Sequence, residues 1–338
     1  MKGLDEMSET PQLSEAKRAL LEKYMRGDLL QVKKTPAPQN GKVEATGRHD
    51  GAIAIQVGSS RRPFFYLHGE WRDGNTFYCY PLAHELGEDQ PFYVLEPYTF
   101  DGLRIPPTLE AIAKIHLKAL RSIQPEGPYL LGGWCNGALV AYEMARQLYA
   151  QGQTVDLLVL MDSMLPGSHK IVRSVISRLS SLMRLDQEKQ LYGFIIALHV
   201  YRYLRFPRYR QRWNSECAET AEQDKRVHDD GKASFGLPRL RGLFPAIAVL
   251  RQDYSMVFEW VNAGYAPDPY PGKLTFFWAR EEPGLSRGWQ KVAETREAEV
   301  HIIPGNDLSS RTEHLHEFAD QLRACLSTTQ MPALNKRI

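Results

Sequence analysis

From residue 51 onward, short apolar runs alternate with stretches of helical period. The runs are Ala52–Val57, Phe64–His68, Phe92–Leu95, Tyr129–Gly132, Leu157–Met161, Leu274–Trp278 and Val300–Ile303; the helical stretches are Phe77–Leu86, Leu109–Ile123, Ala138–Ala150 and roughly Thr312–Leu326. Strands that are apolar on both faces and separated by helices predict a mostly parallel sheet with helices on both faces, an α/β architecture. The alternation lapses between Asp162 and Lys273, where only helical or irregular patterns occur. In an open α/β sheet such an insertion sits over the carboxyl ends of the strands, where ligands bind, so residues of about 164–272 are expected to form a helical lid. The expected domain spans residues 51–329, followed by a tail at 330–338.

The first fifty residues differ. Ser14–Met25 (SEAKRALLEKYM) has an N-cap serine and a thin apolar stripe of Leu20, Leu21 and Tyr24, which predicts one amphipathic helix within residues 1–32. It would either pack on the body or dock to a partner. Lys33–Asp50 is polar, aperiodic and contains Pro and Gly, the character of a linker.

Composition narrows the class. With 43% hydrophobic and 10% aromatic residues in a chain of 338, a sizeable core can form and wholesale disorder is excluded. The net charge of +2 names no polyanionic partner. Apolar runs such as Leu191–Val200 are too short to span a bilayer, and MKGLDEMSET lacks the apolar stretch of a secretory signal. The expectation is a soluble protein of the reducing cytoplasm. The four cysteines (Cys79, Cys135, Cys217, Cys325) show no spacing of a zinc site or disulfide framework, so no metal is expected.

One cysteine stands out. An apolar strand runs into Gly133-Trp134-Cys135-Asn136-Gly137 and straight on into a helix, a G-x-C-x-G nucleophile elbow. The chemistry needs the glycines at Gly133 and Gly137, because side chains there would collide where strand and helix approach. The positive end of the helix favours a thiolate at Cys135, whereas the other three cysteines read as structural. Phe64–Glu70 (FFYLHGE) ends a strand in His68-Gly69, which predicts an oxyanion hole from the backbone N–H groups of Glu70 and Asn136. The His68 ring itself reads as structural or as a candidate base. Leu157–Ser163 places Asp162 at a strand end, 27 positions after Cys135, as the acid of a triad or else as a helix N-cap.

These segments, with QPFYVLEP and PYPGKLTFFWAREEP, resemble the thioesterase domains of nonribosomal peptide and polyketide synthesis, and in particular the subset with a cysteine nucleophile. The resemblance covers roughly Ala52 to Leu326. It implies an α/β-hydrolase fold with a lid, no cofactor, and a substrate presented on the phosphopantetheine of an acyl or peptidyl carrier protein or synthetase module. In that family a histidine follows the last strand in a P-G-N-H segment; here Pro304-Gly305-Asn306-Asp307 places Asp307 at the base position. A carboxylate with an ordinary pKa of about 3.9 is a poor acceptor for a thiol proton. Of the substitutes, His314 can approach only if the loop folds back, while His301 and His316 lie farther off along strand and helix.

Between His169 and Arg212, ten Lys or Arg face two acids, Asp186 and Glu188, and Tyr201–Trp213 (YRYLRFPRYRQRW) interleaves arginine with aromatics. Arg202, Arg205, Arg208, Arg210 and Arg212 are therefore candidates for docking an acidic carrier protein. A solvated helix face is the plain alternative; nucleic acid and membrane are not expected as partners. The functional expectation is transfer of an acyl, aminoacyl or peptidyl group from a carrier thioester to Cys135, then amide formation, cyclisation or transfer in preference to hydrolysis. The alternatives are cyclisation or rearrangement of a carrier-bound chain without covalent chemistry, and a non-catalytic carrier-binding pseudo-thioesterase.

Overall fold

The computed structural model describes residues 48–49, 51–57, 61–69, 79–211, 213–215, 242–281, 289, 298–306 and 309–331. The expected N-terminal helix at Ser14–Met25 lies outside them. In chain order the elements are β1 (Arg48–His49), β2 (Ala52–Gln56), β3 (Phe64–Leu67), α1 (Cys79–Leu86), β4 (Phe92–Leu95), α2 (Leu109–Ile123), β5 (Tyr129–Trp134), α3 (Asn136–Ala150) and β6 (Val155–Met161). After β6 come α4 (Lys170–Leu182), α5 (Gln187–Arg205), α6 (Ile247–Gln252) and α7 (Tyr254–Ala263), then β7 (Leu274–Ala279), β8 (Ala298–Ile303) and α8 (Leu315–Gln330). β1 falls inside the stretch read as linker. Its two residues pair antiparallel with β2 through backbone groups, which leaves no trace in the side-chain pattern.

The described strands form one sheet in the order β1-β2-β4-β3-β5-β6-β7-β8. β2 is antiparallel to both its neighbours, and every pairing from β4 through β8 is parallel. The side-chain period of two sorts the apolar strands into two cores. Phe65, Leu67, Tyr129, Leu131, Leu158 and Leu160 pack beneath α2 and α3, while Phe64, Tyr66, Leu130, Leu157 and Val159 pack against α1 and α8. β8 departs from the expected double burial. Val300 and Ile302 are exposed because β8 is an edge strand covered on one face.

Register sets the site. Leu67 pairs with Gly133, Trp134 with Met161 and Met161 with Phe277, so the next residues along each strand emerge at one edge of the sheet. The helices after β6 form the expected lid. Arg173 covers the Trp260 ring at 3.9 Å, and Phe194 meets that ring edge-on at 5.5 Å. Glu259, buried between them, accepts from Arg202 at 2.9 Å and faces His169 at 3.9 Å. The lid returns to the body over α3, where the buried Glu143 accepts from Arg146 (2.7 Å), Gln147 (2.9 Å) and the Tyr265 hydroxyl (2.7 Å). Tyr142 on the same helix accepts the Tyr270 N–H at 3.0 Å.

Because Tyr265 supplies one of three donors to a buried carboxylate, Tyr265→Phe is expected to lower stability by about 1–2 kcal/mol. The check is the urea midpoint followed by tryptophan fluorescence; an unchanged midpoint contradicts the tether.

Candidate active site

The elbow is built from close backbone approaches. A Cβ added at Gly137 would lie 2.3 Å from the Leu67 carbonyl oxygen, and one at Gly133 would lie 2.5 Å from the Gly137 carbonyl. Strand β3, strand β5 and the start of α3 can cross at that spacing only without side chains. The turn between β5 and α3 then forces Cys135 to φ 52°, ψ −117°, a conformation that strains any residue bearing a Cβ. Its N–H donates to Met161 O at 2.8 Å, and its carbonyl accepts from the Met164 N–H at 3.4 Å. The half-buried thiol stands at the first turn of the fifteen-residue α3, where aligned peptide dipoles favour an anion.

Asp162 leaves β6 at the same edge, also at positive φ (40°). It is buried, its N–H donates to Phe277 O at 2.9 Å, and its Oδ1 accepts the Ala279 N–H at 2.8 Å. It caps no helix, since α4 begins only at Lys170 with His169 before it. The loop after β8 is fastened to the same region. Glu281 N–H donates to Gly305 O at 3.1 Å, and Asn306 exchanges bonds with Ser309: Asn306 N–H to Ser309 Oγ (2.8 Å), Ser309 N–H to Asn306 Oδ1 (3.1 Å). Thus Cys135, Asp162, Gly133, Gly137 and Asn136 come together at the carboxyl ends of β5–β7. Glu70, Asp307 and Arg212 lie outside the described residues, as does Cys217.

The histidines separate clearly. His314 precedes α8, with its ring against Gly305 and its Nδ1 3.7 Å from Glu317 on its own helix. His301 sits on the edge strand β8, bonded to Glu299 at 2.9 Å and stacked on Phe277 at 4.6 Å. His316 pairs with Glu85 across α1 and α8 at 3.0 Å, which raises its pKa. His68 is buried beside the elbow: a Cβ on the neighbouring Gly69 would lie 2.9 Å from Cys135 Cβ. Its Nδ1 lies 2.8 Å from Gly69 O, and burial, aided by the nearby Arg311 charge, lowers its pKa.

Two features carried no sequence signal. Arg311, in a 3-10 turn, covers the Trp134 ring at 4.8 Å, next to the nucleophile position. A cavity of about 20 Å³ opens beside the elbow, bordered by His68, Asn136, Gly137, Tyr98, His116 and Tyr254. Burial holds His116 neutral, down to about 4. Both features are made by residues far apart in the chain, so no local motif marks them.

In the lid, the arginine-aromatic segment divides by direction. Tyr203, Tyr209 and Trp213 pack around the buried His199, whose Nδ1 accepts from the Tyr209 hydroxyl and whose Nε2 donates to Gly242 O, each at 2.9 Å. These aromatics therefore build the lid rather than a docking face. Arg202 points inward to Glu259, while Arg205, Arg208 and Arg210 are exposed beside Tyr201 and Phe206. On α4, Ile171, Val175, Leu179 and Leu182 are exposed as well.

Residues 74–182 match the family model described as a thioesterase domain. A non-reducing polyketide synthase of Pseudevernia furfuracea is 32% identical over 163 residues, 47% of this chain and 8% of that protein. The dimodular nonribosomal peptide synthase of Bacillus subtilis is 36% identical over 117 residues, 34% of this chain and 5% of that protein. The chain thus spans less than a tenth of the length of either relative. A four-domain nonribosomal peptide synthetase structure superimposes with TM-score 0.53 at 20% identity, covering 83% of this chain and 20% of that one. The Vlm2 thioesterase domain gives TM-score 0.50 at 14% identity, covering 83% and 100%. No helix among the described residues is long and apolar enough to cross a membrane.

Exposure and environment rank the thiols. Burial raises Cys79 far above the ordinary thiol range and Cys325 to about 11. Iodoacetamide at pH 7.5 is expected to alkylate Cys135 at least about tenfold faster than either, read by peptide mass mapping; equal rates contradict an accessible elbow thiol.

Proposed function

Taking this α/β-hydrolase domain as a relative of the synthase thioesterase domains, we propose that it removes acyl, aminoacyl or peptidyl groups from a carrier-protein thioester onto Cys135 and passes them to an amine, a thiol or an internal nucleophile in preference to water. The observation that carries the reading is the strained Cys135 held at φ 52° between β5 and α3, with its thiol half-buried at a helix N-terminus.

In the acylation step the Cys135 thiolate attacks the thioester carbonyl carbon. The oxyanion so formed is received by the backbone N–H groups of Asn136 and Glu70, and collapse expels the pantetheine thiolate, which takes up a proton. A thiolate needs no general base for this attack, unlike a serine hydroxyl. Asp162, fixed by the Ala279 N–H, places a carboxylate where the loop after β8 approaches. With Asp307 in the base position, deprotonation of water is poorly served. An amine brings its own lone pair, so the acyl-enzyme favours aminolysis or transfer. The exposed Arg205, Arg208 and Arg210 form a basic face suited to an acidic carrier protein.

Acylated carrier protein is expected to leave a mass adduct on Cys135 that Cys135→Ala abolishes; no adduct under any acyl chain contradicts covalent transfer. Asp307→His is expected to raise thioester hydrolysis by about tenfold or more, measured by thiol release, and an unchanged rate contradicts the role assigned to the missing base. Arg205→Glu with Arg208→Glu is expected to raise KM for carrier-bound substrate several-fold while leaving the rate on a small N-acetylcysteamine thioester unaltered; equal effects on both substrates contradict the docking face.

A further inference from the structure

The His68 imidazole has one edge used and one edge spare. Its Nδ1 lies 2.8 Å from the Gly69 carbonyl, and a carbonyl only accepts, so the ring proton sits on Nδ1. Burial and the neighbouring Arg311 charge keep the ring neutral. Nε2 is then a bare acceptor, fully buried and without a hydrogen-bond partner among the described residues, on a side chain 6% exposed. A buried acceptor left unpaired is costly, and the ring borders the cavity beside the elbow.

That cavity has a defined chemistry. Asn136 and Gly137, the two residues after Cys135, form one wall; Tyr98, His116, Tyr254 and Phe258 form others. Among the described residues no carboxylate lines it, its second histidine is neutral, and the Arg311 cation acts on the His68 ring. At about 20 Å³ it holds one water-sized group.

Resting on the acyl-transfer reading above, we infer that His68 is a specificity residue: its Nε2 accepts a hydrogen bond from a small neutral donor, a hydroxyl or an amide N–H, carried near the carbonyl of the acyl group on Cys135. An acyl group with its carbonyl oxygen at the Asn136 N–H has its first carbons at the Asn136–Gly137 wall. A donor on the first or second of these gives Nε2 the partner it lacks among the described residues. A methyl group in its place strands the acceptor, and an ammonium group is opposed by the Arg311 charge. The residues around the ring therefore select the uncharged donor.

The test compares N-acetylcysteamine thioesters of butanoic, 2-hydroxybutanoic, 3-hydroxybutanoic and 3-aminobutanoic acids. Acylation of Cys135 is followed by intact mass. One of the hydroxyacyl thioesters is expected to react about tenfold faster than butanoyl, and the aminoacyl thioester no faster than butanoyl. In His68→Phe the ratio of hydroxyacyl to butanoyl rates is expected to fall to about one, and in His68→Gln, which retains an acceptor, part of the ratio is expected to return. A ratio near one in the unsubstituted protein, or a ratio that survives His68→Phe, overturns the inference. A second arm needs neither acylation nor a folded variant. The unsubstituted protein, with nitrogen-15 in its histidines, is titrated with methyl butanoate, which carries no donor, and with methyl 2- and 3-hydroxybutanoate. A hydroxyester is expected to shift the His68 Nε2 resonance and methyl butanoate is not; no shift with either hydroxyester overturns the inference even if Cys135 acylates. A shift without any Cys135 adduct sinks the acyl-transfer reading and leaves the acceptor site standing.

Discussion

The structure depends on a place where three backbones approach too closely for side chains. Gly133 and Gly137 let β5 and the first turn of α3 meet, and Gly137 also lies against the carbonyl of Leu67 at the end of β3. Close-packed interiors do not yield at such contacts, because the obstructing atoms are main-chain and cannot turn aside. The connection between β5 and α3 has no slack left, and Cys135 absorbs the cost as a positive φ. The same constraint holds the half-buried thiol at the strand ends, against the apolar layer beneath α1 and α8.

From that bend the rest of the site is a matter of register. Parallel strands with Trp134, Met161 and Phe277 in line bring successive strand ends to one edge, so Asp162 arrives at the same edge as Cys135. Ala279, on the following strand, then holds the carboxylate through its N–H. The two cores serve this alignment from opposite faces: α2 and α3 cover one set of alternate residues, α1 and α8 the other. Above it the lid packs around Phe194, Trp260 and His199, continuous with the core beneath α2 and α3 and tied to α3 through Tyr265 and Glu143.

The elbow was legible because it is local. Gly-x-Cys-x-Gly between an apolar strand and an Ala-rich helix states a backbone geometry within five residues, and β3 to β6 read directly from period. β1 was missed since two paired residues have no pattern of their own. The lid aromatics depart from the pattern: interleaving with arginine suggests an outward face, but Tyr203, Tyr209 and Trp213 turn toward His199 and Arg202 toward Glu259, while Arg205, Arg208 and Arg210 are exposed, and direction is set by a helix packing that a one-dimensional pattern does not encode. Arg311 over Trp134 and the His68 cavity were illegible for a related reason, since each joins residues separated by most of the domain.

The choice of sulfur at the bend bears on everything the site is proposed to do. A serine there would depend on a neighbouring base at both halves of the proposed reaction. A thiolate at a helix N-terminus needs help only in the second half, where the acceptor is chosen. An acceptor that must lose a proton before it attacks, such as water, is then at a disadvantage against one that attacks through a lone pair it already has. A thioester formed on Cys135 is also close in energy to the thioester it came from, so the step runs with little driving force in either direction and the acceptor decides the outcome. On the proposed reading the neutral His68 and the cation of Arg311 would act on the acyl group and its charge, not on the acceptor's proton. Selectivity would then fall on what is delivered to the thiol, and the nature of release on the nucleophile that reaches the strand ends beneath the lid.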